Sequence, residues 1–205
     1  MSNLITLNNG VAAISENDWA IVKLPASQVE ERKQAGKVVL FKLTGEKTVT
    51  EEQIATTEIP ASGKIIVPLS VFIARKAELQ ERIENNRVGV WIDTHEVLED
   101  LINNLSDISV LPIIAVHVER FADGRIFSLG TLLRSRYGFK NELRAIGDVL
   151  RDQLYFFKRS GFTSYQVRAD RSATEALASL NDFTNPYQGA VDETRPVFKR
   201  YNRVA

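Results

Sequence analysis

The residues best able to do chemistry in this 205-residue chain are aspartates spaced along it and arginines gathered in the stretch 121–162. Asp93, Asp123, Asp148 and Asp170 each stand at or near the end of an apolar run that reads as a strand, and Asp192 lies in the tail. Gathered at one end of a sheet, such carboxylates could hold a divalent cation through oxygen, or act as acid and base. They serve equally as helix caps, accepting backbone N–H bonds at the positive end of the helix dipole. For Asp93 and Asp148 capping is the stronger reading, and Asp93 with Glu96 has the spacing of a capping box. Asp148 and Asp152 lie four apart on one helix face with Arg151 between them, which makes them the candidates for handling a proton.

The arginines point to an anion. Arg125 follows Asp123-Gly124 in a polar loop, Arg144 interrupts the apolar strand LRAIG, and Arg151 opens the following helix. A guanidinium offers paired donors in one plane, which suit phosphate, sulfate, sulfite or carboxylate. Asp123, Gly124, Arg125, Ser128, Arg144, Arg151 and Gln153 therefore form the candidate binding set. If buried, Arg144 must find a partner, either a bound anion or Asp148 or Asp152 in a structural salt bridge. Ser128 lacks a G-x-S-x-G context and does not read as a nucleophile. His117, inside an apolar strand, reads as a core histidine.

Composition removes several chemistries. The chain has no cysteine and two histidines, so thiolate catalysis, disulfides and Cys-ligated clusters are excluded, and no metal site is assigned. Neither G-x-G-x-x-G nor G-x-x-x-x-G-K-[ST] occurs, which leaves the cofactor unknown. Formal charge is zero, yet residues from Arg120 onward carry 15 Lys and Arg against 9 Asp and Glu. That excess favours a small oxyanion over nucleic acid, because no basic run interleaved with aromatics appears. With no apolar run long enough to span a bilayer and no basic, apolar leader, the expectation is a cytoplasmic protein with no membrane partner.

These residues need a scaffold, and the pattern from residue 59 onward supplies one. Strands at Lys64–Leu69, Val88–Ile92, Ile113–Val118, Leu143–Gly147 and Ser164–Ala169 alternate with helices at Val71–Asn85, around Val97–Leu105, Phe127–Tyr137, Val149–Arg159 and Ala173–Asn181. Such alternation predicts an α/β fold with a mainly parallel sheet of about five or six βα units, an open sheet or an incomplete barrel. Residues 1–58 break the rhythm and read as an irregular, antiparallel extension packed on the 59–205 domain. Within it lie short β-like pieces at Leu4–Leu7, Trp19–Val22 and Val38–Leu43, a turn at Asn9-Gly10, and a charged helix or loop at Ser27–Gln34.

The motifs DGR-x-F-S, LLRSRYGF, ELRAIGDVLRDQL and FKRSGF, with IPASGKIIVPL upstream and YQGAVDETRPVFKR downstream, resemble a bacterial family of unknown function. That family is often described as an oxidoreductase and is commonly encoded beside the sulfite reductase haemoprotein. The likeness covers about Ile59 to Arg200. Here Ile126 replaces a usually small residue, and Thr131 replaces a residue that is often basic. The resemblance implies an oxidoreductase or auxiliary protein of assimilatory sulfur metabolism, with sulfite reductase as a partner and a small oxyanion as ligand. A non-catalytic accessory that docks on sulfite reductase is the alternative. It implies no established catalytic residue.

Overall fold

A computed structural model of the chain describes residues 2–25 and 49–200. Strands β1 (Leu4–Asn8) and β2 (Val11–Ser15) form a hairpin across Asn9-Gly10. Both turn residues have positive φ, 50° and 82°, as a two-residue hairpin loop demands. Then follow β3 (Trp19–Ile21), α1 (Glu51–Thr56), β4 (Lys64–Pro68), α2 (Leu69–Ala74), α3 (Lys76–Glu84), β5 (Val88–Asp93) and α4 (Leu98–Asn103). The second half holds β6 (Ile113–Val118), α5 (Arg125–Ser135), β7 (Glu142–Gly147), α6 (Leu154–Arg159), β8 (Ser164–Gln166), α7 (Ala173–Ser179) and α8 (Val197–Arg200).

The strands form one sheet in the order β2-β1-β8-β7-β6-β5-β4-β3. Strands β3 to β8 run parallel in chain order, and β1 is antiparallel to both β2 and β8. The α/β class is as expected. The expected mainly parallel sheet of five or six units is corrected to a mixed sheet, open and curled as a half-barrel, with eight strands among the described residues. Its source is the first 21 residues, where β2 had no recognisable signal in VAAIS. The strand expected at Val38–Leu43 and the segment Ser27–Gln34 lie outside the described residues.

Curling follows from connectivity. The two edge strands, β2 and β3, are joined by Glu16, Asn17 and Asp18 alone. Such a link spans at most about 14 Å, whereas eight strands laid flat would put the edges roughly 34 Å apart. Only a strongly curved sheet satisfies both. The helices cover the convex face, where alternate strand residues such as Val67, Val90, Val116 and Ala145 join Phe72, Leu133 and Phe157 in the main core. The opposite parity places Trp19, Ile66, Trp91, Ile113, Ala115 and Ile146 in a second cluster on the concave face.

Arg144 lies on that concave face, 2% exposed, between Ala115 and Ser164 in register. Its small neighbours leave room for the guanidinium. Nε and Nη2 donate to Glu142 Oε1 at 2.9 and 2.7 Å, and Nη1 donates to Asn17 Oδ1 at 2.9 Å. Ser164 Oγ donates to the same Glu142 oxygen at 2.5 Å. The salt bridge expected to Asp148 or Asp152 is therefore corrected. Glu142 is two residues away on the same strand and so shares the face of Arg144, whereas Asp148 and Asp152 lie beyond the strand.

Two expected helices also change. The span Val71–Asn85 is two helices broken at Arg75, whose Nη1 donates to Thr57 O at 2.7 Å. Asp148 caps no helix; a 3₁₀ turn at Arg151–Gln153 precedes α6. Among the described residues no helix is long and apolar enough to cross a membrane.

Removing Arg144 should leave Glu142 and Asn17 without their cation and free the β2–β3 link. Arg144→Ala is expected to lower unfolding free energy by about 3 kcal/mol, read from urea midpoints. Arg144→Lys should recover only part of this, since a single ammonium lacks the fork that serves Glu142 and Asn17 together. An unchanged midpoint in Arg144→Ala would refute the latch.

Candidate functional site

The carboxyl ends of β5 and β6 bring together two polar residues that strand parity places on the concave face. Asp93 and His117 are partners in register, each the last inward position of its strand. His117 Nδ1 lies 2.6 Å from Asp93 Oδ1. A carboxylate can only accept, so in the neutral imidazole the proton lies on Nδ1 and Nε2 carries the lone pair. Trp91, one inward position below Asp93, meets the His117 ring edge-on at 5.5 Å, and its indole N–H donates to Val22 O at 2.8 Å. The imidazole is one-third exposed, so the dyad is reachable from solvent.

Gly147 makes space for the ring. It sits beside Val118 in register with φ at +93°. A Cβ there would lie 2.4 Å from Val118 O and 3.0 Å from His117 Nε2. Only glycine accepts both the backbone conformation and the contact.

Glu96 completes this group. Its carboxylate accepts the Asp93 N–H at 2.7 Å, and its own N–H donates to Asp93 O at 3.1 Å. Burial pushes the Glu96 carboxyl up to about 7, and the negative charges of Asp93 and Asp100 act in the same direction. The reciprocal half of the anticipated capping box is missing, because the Asp93 side chain turns to His117 and α4 begins only at Leu98.

A second group closes the loop after β6. Asp123, almost fully buried, accepts from Arg125 Nε at 2.9 Å and Nη2 at 2.7 Å, and also from the Thr94 hydroxyl. These bonds, with that of Arg125 foremost, hold the Asp123 carboxyl down to about 2. Asp123 raises Arg125, and Arg125 Nη2 donates to the Thr94 hydroxyl at 3.2 Å, next in sequence to Asp93, which links the two groups. No bond to Arg125 Nη1 occurs among the described residues, and the side chain is part-exposed.

The segment after β7 meets the same loop. Asp148 Oδ2 accepts the Phe121 N–H at 2.9 Å, and Gln153 Nε2 donates to Phe121 O at 2.9 Å. Arg168 links Asp148 to Asp170 with bonds of 2.6 Å to each. Of the Arg144–Gln153 segment expected beside the Asp123–Arg125 loop, Asp148 and Gln153 bond to the backbone of Phe121, two residues before Asp123, and Arg144 does not take part. The remaining candidates lie elsewhere. Arg144 is held on the concave face by Glu142, Ser128 is exposed on α5, and Arg151 and Asp152 are exposed on the 3₁₀ turn. Gly124 precedes α5 in ordinary right-handed geometry, with open space around it.

His117 and Asp93 were misassigned as core residue and cap. The available signal was that VGVWID and IIAVHV each end their inward-facing series on a polar side chain. Among the described residues no group of three or more His, Asp or Glu is placed to hold a metal.

The chain belongs to a family of bacterial proteins of unknown function, DUF934, whose profile matches residues 89–198. Asp93, Glu96, His117, Asp123, Arg125 and Asp148 all fall inside that match. No curated protein matches the chain. Among solved structures, it is similar to a crystal structure of the Bacillus subtilis YkuI protein, with an EAL domain, in complex with substrate c-di-GMP and calcium. The TM-score is 0.34 at 14% identity over 61% of this chain and 43% of that one, a likeness that contributes nothing to reading the site.

Two outcomes are expected from this geometry. The Glu96 carboxyl is held above its unfolded value of 4.5, so its contribution to stability is complete below that value and is lost as pH rises through about 7. Urea midpoints should fall between about pH 5 and about pH 8, and Glu96→Gln should flatten the decline; an equal slope in that variant would refute the assignment. Gly147→Ala should cost about 1–3 kcal/mol and shift the His117 ring resonances in NMR spectra, with unaltered resonances as the refuting result.

Proposed function

We propose that this protein is a proton-transfer auxiliary of assimilatory sulfur metabolism, acting with sulfite reductase, and that His117 is its acid–base group. The observation that carries the reading is the 2.6 Å Asp93–His117 bond at the carboxyl end of parallel strands, where α/β proteins bind their ligands. His117 Nε2 takes a proton from water, becoming imidazolium, and Asp93 stabilises the charge that forms. The imidazolium then passes that proton from Nε2 to an oxygen of the ligand.

The sulfur context comes from the likeness of DGR-x-F-S, LLRSRYGF and ELRAIGDVLRDQL to proteins commonly encoded beside the sulfite reductase haemoprotein. Reducing a sulfur oxyanion removes oxygen as water and therefore consumes protons, which a His–Asp pair can deliver. A chain without cysteine supplies no cluster of its own, so the electrons come from the reductase. Arg125, part-exposed and bonded to Thr94 beside Asp93, is the cation best placed to hold the anion.

A second reading, a docking accessory without chemistry, is favoured by one observation. Phe156 and Phe183 are 51% and 58% exposed and lie 6.4 Å apart, with Phe127 packed behind them. Contiguous exposed aromatics suit a protein partner.

Sulfite-dependent turnover by purified reductase, measured with and without this protein, tests both. Wild-type protein should raise the rate. His117→Asn should remove at least about tenfold of that gain while still binding the reductase. Loss of co-purification in Phe156→Asp/Phe183→Asp, with His117→Asn fully active, would replace the first reading with the second.

A further inference from the structure

Phe121 combines a fixed backbone with an unused side chain. Its N–H donates to Asp148 Oδ2 and its C=O accepts from Gln153 Nε2, both at 2.9 Å. The residues around it are tied as well, by Asp148 N–H to Val118 O at 2.8 Å and Asp123 N–H to Arg120 O at 2.9 Å. Gln153 is almost fully buried, and a buried amide is costly unless bonded. Two polar side chains from beyond β7 are thus committed to placing one residue. Yet the Phe121 phenyl ring is 44% exposed and takes part in no aromatic contact among the described residues. A lone exposed phenylalanine is ordinary; one whose N–H and C=O are both held by side chains of another element is not.

Position adds the second strand of the argument. Phe121 follows His117 by four residues, in the loop that leaves β6. Asp148, which holds its N–H, directly follows Gly147, against which the His117 ring packs. One turn therefore sets both the imidazole and the phenyl ring. Three carboxylates nearby are paired, Asp148 and Asp170 with Arg168 and Asp123 with Arg125. A surface so balanced suits an uncharged planar ring better than a polyanion.

We infer that Phe121 is a stacking platform for a planar heteroaromatic ring, bound at the rim of the Asp93–His117 site. This rests on the location of the proposed site and not on its proton chemistry, so the two can fail separately. Asp148 and Gln153 are then positioning residues for the platform. Stacking of a ring on an aromatic side chain is worth roughly five- to 150-fold in affinity, enough to make Phe121 a main determinant of binding.

Riboflavin and adenosine, which carry planar rings without phosphate, are the probes. Each is titrated into the full chain and followed by quenching of riboflavin fluorescence, or by displacement of riboflavin by adenosine. Wild-type protein should bind at least one probe, with affinity falling at least about tenfold in Phe121→Ala and retained in Phe121→Tyr. Gln153→Ala should weaken binding while the circular dichroism spectrum stays native. Equal affinity in Phe121→Ala, or no binding of either probe by wild-type protein, overturns the inference.

Discussion

The three-residue link between β2 and β3 constrains everything else. Because Glu16–Asp18 must join strands at opposite edges of an eight-strand order, the sheet has to curl, and the concave face becomes narrow. Arg144 makes the curl specific by reaching from the middle of the sheet to Asn17 on the link, with Glu142 balancing its charge. A guanidinium suits this place, since its fixed fork can serve Glu142 and Asn17 together. The cost of burying it is offset because each of its three nitrogens has a partner.

A narrow concave face is then filled with side chains and is not left as a channel. Trp19, Trp91, Ile66, Ile113 and Ile146 pack together there, and the polar residues on the same parity are confined to the strand ends. Asp93 and His117 therefore sit on an apolar floor, where their hydrogen bond is less weakened by water than it would be on a loop. The same floor accounts for Glu96, whose carboxyl is drawn into the edge of this packing and resists ionisation.

Much of the parallel half was legible in the sequence because its strands, buried on both faces, are short apolar runs bounded by polar turns. KIIVPL, VGVWI and IIAVHV correspond closely to β4, β5 and β6. β2 was not legible, for VAAIS is mostly exposed at the sheet edge and owes its conformation to pairing with β1. The site was obscured for a different reason. An aspartate before a helix and one turned to a histidine look identical in sequence, and only the register between β5 and β6 separates them. Likewise the partner of Arg144 depended on which face it occupied, which strand parity decides in favour of Glu142.

The richest motifs, between Phe121 and Phe162, are largely engaged in holding. Arg134 donates to the carbonyls of Gly161, Phe139 and Asn141, joining the end of α5 to the chain before β7 and the turn after α6. Gly130 lets Phe162 and the Ser160 carbonyl come within reach of the α5 backbone. Asp148 and Gln153 fix the loop that carries Phe121 and Asp123. Residue types that suggest chemistry, arginine and aspartate above all, are also those whose several hydrogen bonds can bind loops to one another. The Asp93–His117 pair lies outside that stretch, and its geometry is set by it through Gly147. A dense motif in such a fold marks where the support is built, and the reactive atoms are found by asking which polar side chains the support leaves with an open lone pair.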